Sequence, residues 1–156
     1  MAMEIERRFR VANDGWRGLA EGVRYRQGYL SVEKERTVRV RVVGEQAWLT
    51  LKGHVTDVSR HEFEYAIPLA DAQTILDSMC PMVVDKLRYR IEHGGFVWEV
   101  DEFFGENAGL VMAEIELPAE DTPFEHPAWL GEEVTHDGRY TNAHLSKNPY
   151  TRWPKA

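Results

Sequence analysis

The chain has 156 residues, of which 43% are hydrophobic and 29% charged, a composition that suits one globular domain over residues 1–156. A domain of this length buries enough surface to fold without metal ions or disulfides to stabilise it, and the single cysteine, Cys80, excludes a disulfide framework. The chain is charged from its fourth residue, and no apolar run approaches the ~18 residues of a membrane-spanning helix. We therefore expect a cytoplasmic protein without a membrane partner.

The net charge of −7 alone argues against a polyanionic partner such as nucleic acid or polyphosphate, but the distribution of charge along the chain reverses that argument. Nucleic acid is not expected as a partner. Between Ile91 and Gly138 there are 13 acidic residues and neither Lys nor Arg. The rest of the chain holds the other 13 acidic residues and all 19 basic ones. This separation favours a site in which protein cations and a metal cation share one anion.

Alternation of apolar and polar residues predicts eight strands. In chain order they are about residues 3–11, 23–32, 37–43, 47–53, 59–67, 84–93, 96–103 and 110–117. Tight turns at Gly44-Glu45 and Gly94-Gly95 predict that at least two neighbouring pairs are antiparallel. With no βαβ spacing, the pattern predicts a mainly β (α+β) fold, an antiparallel barrel or sandwich with few helices.

Helical signals are few. Apolar residues at helical spacing from Ala70 to Met79 predict a helix with Asp71 as a candidate cap. Short helical segments are also expected near 120–130 and 141–147, within a C-terminal helical part at about 139–150. The segment Arg139–Asn142 and the short helix after it are candidates to close one end of a barrel.

Like-charged residues two positions apart occur on five predicted strands, so each pair projects to one face of the sheet. The pairs are Glu4/Glu6, Arg39/Arg41, Glu62/Glu64, Arg88/Arg90 and Glu114/Glu116. A solvated outer face explains any single pair, since charged strand faces are common. Five pairs sorted by sign instead favour faces that line the lumen of a closed barrel, with room for one small ligand.

The charges of such a lumen are balanced. Arg and Lys bind phosphate oxygens, whereas carboxylates beside them suit a hard divalent cation, Mg²⁺ or Mn²⁺. Seven basic residues (Arg8, Arg39, Arg41, Lys52, Arg60, Lys86, Arg88) stand against seven acidic ones (Glu4, Glu6, Glu62, Glu64, Asp101, Glu114, Glu116).

The other sequence motifs give little evidence about function. His61-Glu62 begins like the zinc motif HExxH, but Tyr65 occupies the position of the second histidine. P-loop, GxGxxG and GxSxG patterns are absent from the sequence. The charged strand faces disfavour an apolar-ligand barrel of the lipocalin type, and the five tryptophans are interpreted as packing residues.

Glu4-Ile5-Glu6-Arg7-Arg8 closely resembles the ExExK signature of the CYTH superfamily, the triphosphate tunnel metalloenzymes. Further segments follow in the family's order, and the resemblance spans about residues 3–146. These are Arg26–Leu30, Val38–Arg41, Leu51-Lys52, Arg60–Glu64, Asp85–Tyr89, Glu99–Asp101 and Ala113–Glu116. The resemblance implies an eight-stranded antiparallel tunnel that binds a triphosphate and a divalent metal.

By the same resemblance, Glu4, Glu6, Glu114 and Glu116 are metal ligands, with Glu62, Glu64 and Asp101 as further ligands or water-positioning groups. Arg39, Arg41, Lys52, Lys86 and Arg88 grip phosphate, with Arg26 and Arg60 in support. Tyr29, Arg8, Lys52 and Lys86 form the catalytic set, Tyr29 as a candidate proton acceptor. Arg8 stands where the signature has Lys, and an arginine stays protonated, so a proton transfer at this position is lost while phosphate binding is kept.

The expected function is therefore a metal-dependent triphosphatase that hydrolyses inorganic tripolyphosphate or a small organic triphosphate by in-line attack of water. Two alternatives stay open. One is an adenylate cyclase of the CYTH type, in which a ribose hydroxyl attacks in place of water. The other is a module that binds a triphosphate or polyphosphate without turnover, which the change at Arg8 allows. Association as a homodimer is expected only because dimers are common.

Overall fold

The structure, a computed structural model, describes residues 3–154. Its nine strands are β1 (Met3–Val11), β2 (Gly22–Glu33), β3 (Arg36–Val43), β4 (Gln46–His54), β5 (Ser59–Ile67), β6 (Val83–His93), β7 (Phe96–Phe103), β8 (Val111–Glu116) and β9 (Leu130–Glu133). The first eight agree with the predicted strands to within one residue at each end. Strand β9 was not predicted, because four residues give too short a pattern.

The first eight strands form a closed antiparallel ring, as expected for a barrel. The hydrogen-bonded order is β5-β4-β3-β2-β6-β7-β8-β1, and β1 closes the ring by pairing with β5. Gly44 and Gly94 sit in the predicted hairpin turns with φ of 60° and 61°, which glycine adopts without steric cost. The prediction of a mainly antiparallel β-barrel is confirmed.

One edge of β1 is shared by two partners. Its first residues, Met3 to Ile5, pair with β5, and the same edge pairs with β9 from Phe9 onward. Between them the backbone NH of Glu6 donates to Val58 O, and Arg8 O accepts from the NH of Val134. The C-terminal part of the chain thus continues along β1 where β5 diverges, and this brings Thr135 and His136 to the lumen.

Helices are few and lie at the periphery. Helix α1 (Leu69–Ser78) covers the outer face of β3 and β4, where Val40 and Val42 pack with Ala72 and Leu76. Pro68 is its N-cap residue and no side chain caps the helix, so the expected cap at Asp71 is wrong. Helix α2 (Asn142–Leu145) is one turn. Among residues 3–154, no helix has the length and apolar character needed to span a bilayer.

The helix expected near 120–130 is also wrong. Residues 117–129 form turns and irregular chain before β9 begins. Pro118, Pro123 and Pro127 explain the failure, because each lacks a backbone NH and disfavours helical conformation in the residue before it.

The hydrophobic core lies outside the ring, between the barrel wall and the segments that cover it. One cluster includes Phe9, Trp98 and Trp129. Another joins Phe103 of β7 to Tyr140 and Leu145 of the C-terminal segment. Since the outward-facing side chains supply the core, the inward-facing ones are free to be polar.

Candidate active site

The ring encloses a cavity of about 440 Å³, a volume typical of small-molecule sites. Nine Lys or Arg side chains and eight Asp or Glu side chains line it. A polyanion alone would therefore meet nearly as many carboxylates as cations. The near balance indicates that a cation accompanies any anionic ligand.

Opposite charges face each other across the lumen. In the ring of eight, β3 is four strands from β8, so Arg39 and Arg41 lie across the barrel from Glu114 and Glu116. Likewise, β6 with Lys86 and Arg88 is four strands from β5 with Glu62 and Glu64. Strand topology thus gives the cavity a guanidinium-rich side and a carboxylate-rich side.

Three arginines of the cavity wall keep a buried donor without a partner. The Nε–H groups of Arg8, Arg39 and Arg60 have no hydrogen-bond acceptor among residues 3–154. Such orphaned donors cost free energy in a folded protein. An anion with several oxygen acceptors would satisfy them.

Arg41 has no carboxylate partner in the part of the chain that the structure describes. Its Nε donates to Gln27 Oε1 at 2.8 Å, and its guanidinium carbon lies 4.9 Å from the centre of the Tyr25 ring. Burial, with the charges of Arg39 and Arg88, lowers the pKa of Arg41 to about 9. The basic side therefore crowds positive charge in a way that a bound polyanion would relieve.

The acidic side crowds negative charge in the same manner. Glu6 of β1 is directly opposite Glu116 of β8, and Glu99 of β7 is directly opposite Glu114. Like charges at such positions are destabilising. Burial, together with the charge of Glu6 and a hydrogen bond to it, raises the pKa of Glu114 to about 7. Burial, and then Glu4, Glu62 and Glu99, raises the pKa of Glu116.

These carboxylates fit a hard divalent cation by their chemistry. Among residues 3–154, no three acidic, histidine or cysteine side chains converge closely enough to hold one ion as they stand. Nevertheless, Glu6 and Glu114 are in contact, and Glu6 and Glu116 form a like-charged cross-strand pair. A cation that takes carboxylate oxygens would remove the repulsion between them.

Basic side chains are paired with carboxylates of the lumen, Glu114 included, which accepts from Arg88 Nη2 at 3.2 Å. Lys52 Nζ lies 3.0 Å and 3.2 Å from the two oxygens of Glu4 and 3.4 Å from Glu62. Arg39 Nη2 lies 3.5 Å from Glu64, which also accepts from Thr50 at 2.8 Å. These pairs place the cations of β3 and β4 beside the carboxylates of β5 and β1.

Asp101 is buried behind the cavity wall and serves two cations. Its Oδ2 accepts from Lys86 Nζ at 2.7 Å, and its two oxygens accept from Arg88 at 2.8 Å each. Burial alone would raise its pKa, but the charges of Arg88 and Lys86 hold it well below the usual range. Burial, with Arg88 and Arg41, lowers the pKa of Lys86 to about 8, despite the opposing effect of Asp101.

Arg8 and Tyr29 both line the cavity. Arg8 Nη1 donates to Glu6 at 3.3 Å, and its Nη2 donates to the backbone oxygen of Thr135 at 3.3 Å. The Tyr29 hydroxyl oxygen accepts from Gln27 Nε2 at 3.2 Å. The residue that replaces the signature lysine therefore points the same way as the rest of the predicted set.

The structure brings most of the predicted site residues together. Those that line the cavity are Glu4, Glu6, Arg8, Tyr29, Arg39, Arg41, Lys52, Arg60, Glu62, Glu64, Lys86, Arg88, Glu114 and Glu116. Arg26 does not line the cavity. Side chains alternate between the two faces of a strand, and Arg26 is an odd number of residues from Tyr29, so it lies on the other face of β2. Asp101 also lies outside the lining, engaged by Lys86 and Arg88.

Sequence reasoning missed several residues of the cavity wall. Glu99 lines it and has a detectable signal, since it shares a strand face with Asp101 two residues later. Asn142, the first residue of α2, belongs to the segment that the sequence suggested as a closure of one barrel end, but none of its side chains was assigned to the site. Thr135 comes from the irregular chain after β9, which has no periodicity to follow. Arg90, the partner of Arg88 in the charge pattern, is exposed beyond the lumen and pairs with Glu99 at 2.6 Å.

A family model for the CYTH domain matches residues 2–147, so this chain belongs to the CYTH domain family. It is similar to the inorganic triphosphatase of Acetivibrio thermocellus, with 53% identity over 151 residues that cover 96% of this chain and 97% of the relative. It is 35% identical to the inorganic triphosphatase of Nitrosomonas europaea over 147 residues, which cover 92% of this chain and 96% of that relative.

A solved structure agrees with this placement. The crystal structure of the inorganic triphosphatase NE1496 matches with a TM-score of 0.68 and 34% identity, covering 94% of this chain and 95% of that one. The resemblance noted in the sequence is thereby confirmed over nearly the whole chain.

Proposed function

We propose that this protein is a metal-dependent inorganic triphosphatase, which hydrolyses tripolyphosphate to pyrophosphate and phosphate. The observation that carries the proposal is the division of the cavity into an arginine-rich side and a carboxylate-rich side with opposed like charges, together with three buried arginine donors in its wall that have no acceptor among residues 3–154. A polyanion and a cation together complete both sides. Curated relatives at 53% and 35% identity are inorganic triphosphatases, which supports the same activity here.

The basic residues hold the substrate in this proposal. Arg39, Arg41 and Arg88 offer planar forks to phosphate oxygens, and Lys52 and Lys86 act as point charges. Arg8 and Arg60 contribute their unpartnered Nε–H groups. Asp101 positions Lys86 and Arg88 by accepting from both, a role that replaces metal binding because its oxygens are already engaged.

Glu6, Glu114 and Glu116 would hold the divalent metal, with Glu4 beside them. When bound, the metal would neutralise phosphate charge and lower the pKa of a water. We propose Mg²⁺ or Mn²⁺, since both take carboxylate and phosphate oxygens. Glu62 and Glu64, which face the lumen from β5, would orient the attacking water.

The chemistry at phosphorus is in-line displacement. Water forms a bond to the terminal phosphorus and loses a proton to the phosphate products or to solvent, while the bridging P–O bond breaks and pyrophosphate leaves with the electron pair. Arg39, Arg41 and Arg88 stabilise the charge that spreads over the equatorial and leaving oxygens. Tyr29 lines the cavity, and its hydroxyl would form a hydrogen bond with the reacting groups.

We propose that the protein works in the cytoplasm, which the unpaired Cys80 supports. A homodimer is proposed on general grounds alone, and sedimentation velocity measures it.

The test is phosphate release from tripolyphosphate, pyrophosphate and ATP, with Mg²⁺, with Mn²⁺ and with a chelator, alongside a search for cyclic AMP. We expect metal-dependent release from tripolyphosphate far above that from pyrophosphate. Cyclic AMP from ATP would instead support the cyclase alternative, and saturable tripolyphosphate binding without release would support the binding module.

Two matched variants on β3 give the control. Arg39→Gln removes a cation of the cavity wall, whereas Arg36→Gln removes an exposed one from the same strand. We expect the first to lower kcat/KM at least tenfold and the second to change it less than twofold. Equal effects would contradict the placement of the substrate in the lumen.

A further inference from the structure

Two side-chain amides join the C-terminal segment to three residues of the cavity wall. Asn142 Oδ1, from the first turn of α2, accepts from Lys86 Nζ at 2.9 Å and from Gln27 Nε2 at 3.1 Å. Gln27 is fully buried in β2 and also contacts Arg41 and Tyr29 through its amide. Gln27 and Asn142 therefore form a bridge among groups on β2, β3, β6 and α2.

The chemistry of the neighbours fixes the orientation of both amides. Lys86 and the Nε of Arg41 can only donate, so each must face an amide oxygen. Asn142 thus turns its oxygen to Lys86, and Gln27 turns its oxygen to Arg41 at 2.8 Å. The NH₂ group of Gln27 is then left to donate to Asn142 and to the Tyr29 hydroxyl oxygen.

This orientation determines what Tyr29 can do. Because its oxygen accepts from Gln27, its own proton needs a different acceptor, and none is found among residues 3–154. Tyr29 is buried, with 6% of its surface exposed, and it lines the cavity. Its O–H is consequently available to an oxygen acceptor inside the lumen.

We propose that Gln27 and Asn142 are positioning residues that set Tyr29 as a hydrogen-bond donor to a phosphate oxygen and hold Lys86 and Arg41 in place. The inference rests on the proposed triphosphatase function and assigns roles within that site. It gives the C-terminal segment a part in catalysis through Asn142. Neither amide itself needs to touch the reacting atoms.

The first experiment compares Asn142→Leu with Asn142→Asp. Leucine is close in size but cannot accept a hydrogen bond, whereas aspartate keeps the accepting oxygen. We expect Asn142→Leu to lower kcat about tenfold or more, because Lys86 and Gln27 lose a shared acceptor. We expect Asn142→Asp to keep most of kcat while KM rises, since its charge repels the substrate.

A packing role for Asn142 predicts the reverse order, with the apolar variant tolerated better than the charged one. That order, with both variants folded by thermal melting, would overturn the proposal for Asn142.

The second experiment is a double-mutant cycle between Gln27 and Tyr29. Gln27→Glu keeps the acceptor for Arg41 but removes the NH₂ donor, so the Tyr29 proton turns to the new carboxylate and away from the lumen. We expect kcat to fall about tenfold in the otherwise native protein and by less than about threefold in the Tyr29→Phe background. Gln46→Glu, at an exposed position on β4, is the matched control.

Equal losses from Gln27→Glu in both backgrounds would overturn the assignment of Tyr29. If the native protein releases no phosphate from tripolyphosphate, the proposed function fails separately. The inference is then judged by tripolyphosphate affinity in calorimetry, where Asn142→Leu must weaken binding about tenfold and Gln46→Glu must not.

Discussion

Glu6 of β1 and Glu116 of β8 are direct neighbours in the antiparallel register, and both carboxylates line the cavity. A strand pair selected for stability alone would not place like charges opposite each other. In the proposed function, a divalent cation held by these carboxylates would relieve the repulsion between them. Without that cation, the pair should lower the stability of the fold.

Replacing Glu116 by Gln should therefore raise the stability of the metal-free protein while it abolishes activity. Removal of one like-charged cross-strand pair should stabilise the fold by about 0.2–1 kcal/mol, which corresponds to a rise of about 0.4–4 °C in Tm. The measurement is thermal unfolding in a chelator, with Glu45→Gln in the exposed β3–β4 turn as control. A lower Tm for Glu116→Gln would show that the carboxylate is held by favourable contacts instead.

Glu114 should make the metal-free protein less stable as pH rises. Its ordinary pKa is 4.5, and burial together with Glu6 raises the pKa to about 7 in the folded state. Between these values the folded protein binds a proton that the unfolded chain has released, so the free energy of unfolding falls with increasing pH. The loss is complete above the folded pKa.

The comparison that isolates this effect is native protein against Glu114→Gln, unfolded by urea in a chelator from pH 5 to pH 8. The native protein should lose up to about 3 kcal/mol relative to the variant across that range, at about 1.4 kcal/mol per pKa unit. A difference that stays constant with pH would contradict the burial and coupling described for Glu114.

Asp101→Asn should destabilise the protein severely. The variant removes the charge that compensates Lys86 and Arg88, both buried, and breaking a buried pair in this way costs about 3–5 kcal/mol. Asp121→Asn, at an exposed loop position, should change the free energy of unfolding by less than about 0.5 kcal/mol. Urea unfolding of both variants checks this, and equal stabilities would refute the positioning role of Asp101.

Arg8→Lys restores the signature residue and separates phosphate binding from proton transfer. Arg8 contacts both Glu6 and Thr135 and keeps a free Nε–H group, and a lysine with one ammonium group cannot reproduce all three. We expect KM for tripolyphosphate to rise about three- to tenfold, the loss of about one hydrogen bond, with kcat changed less than threefold. A tenfold gain in kcat with a new limb in the pH profile would assign proton transfer to this position.

The sequence predicted the eight strands of the ring and most of the cavity wall because both follow the same period of two. Once Glu4 and Glu6 face inward, every strand that pairs in register adds side chains to the same lumen. The same rule argues against Arg26, which is an odd number of residues from Tyr29 and so belongs to the opposite face. Residue spacing along β2 was therefore sufficient to predict that Arg26 does not face the lumen.

The C-terminal contribution to the site could not be predicted in the same way. Thr135 reaches Arg8 because β9 and the residues after it follow the edge of β1 that β5 leaves. Asn142 reaches Lys86 from a helix of four residues with no periodic pattern. Both contacts depend on which strand edge remains free in three dimensions, and residue spacing does not encode that.

The measurement that tests the account most directly is Mn²⁺ binding in the presence of tripolyphosphate, followed by electron paramagnetic resonance. The native protein should bind Mn²⁺, and the variant with both Glu6→Gln and Glu116→Gln should bind it at least about tenfold more weakly, whereas Glu45→Gln should bind it as the native protein does. Equal affinity in all three proteins would contradict a metal site on the carboxylate side of the cavity.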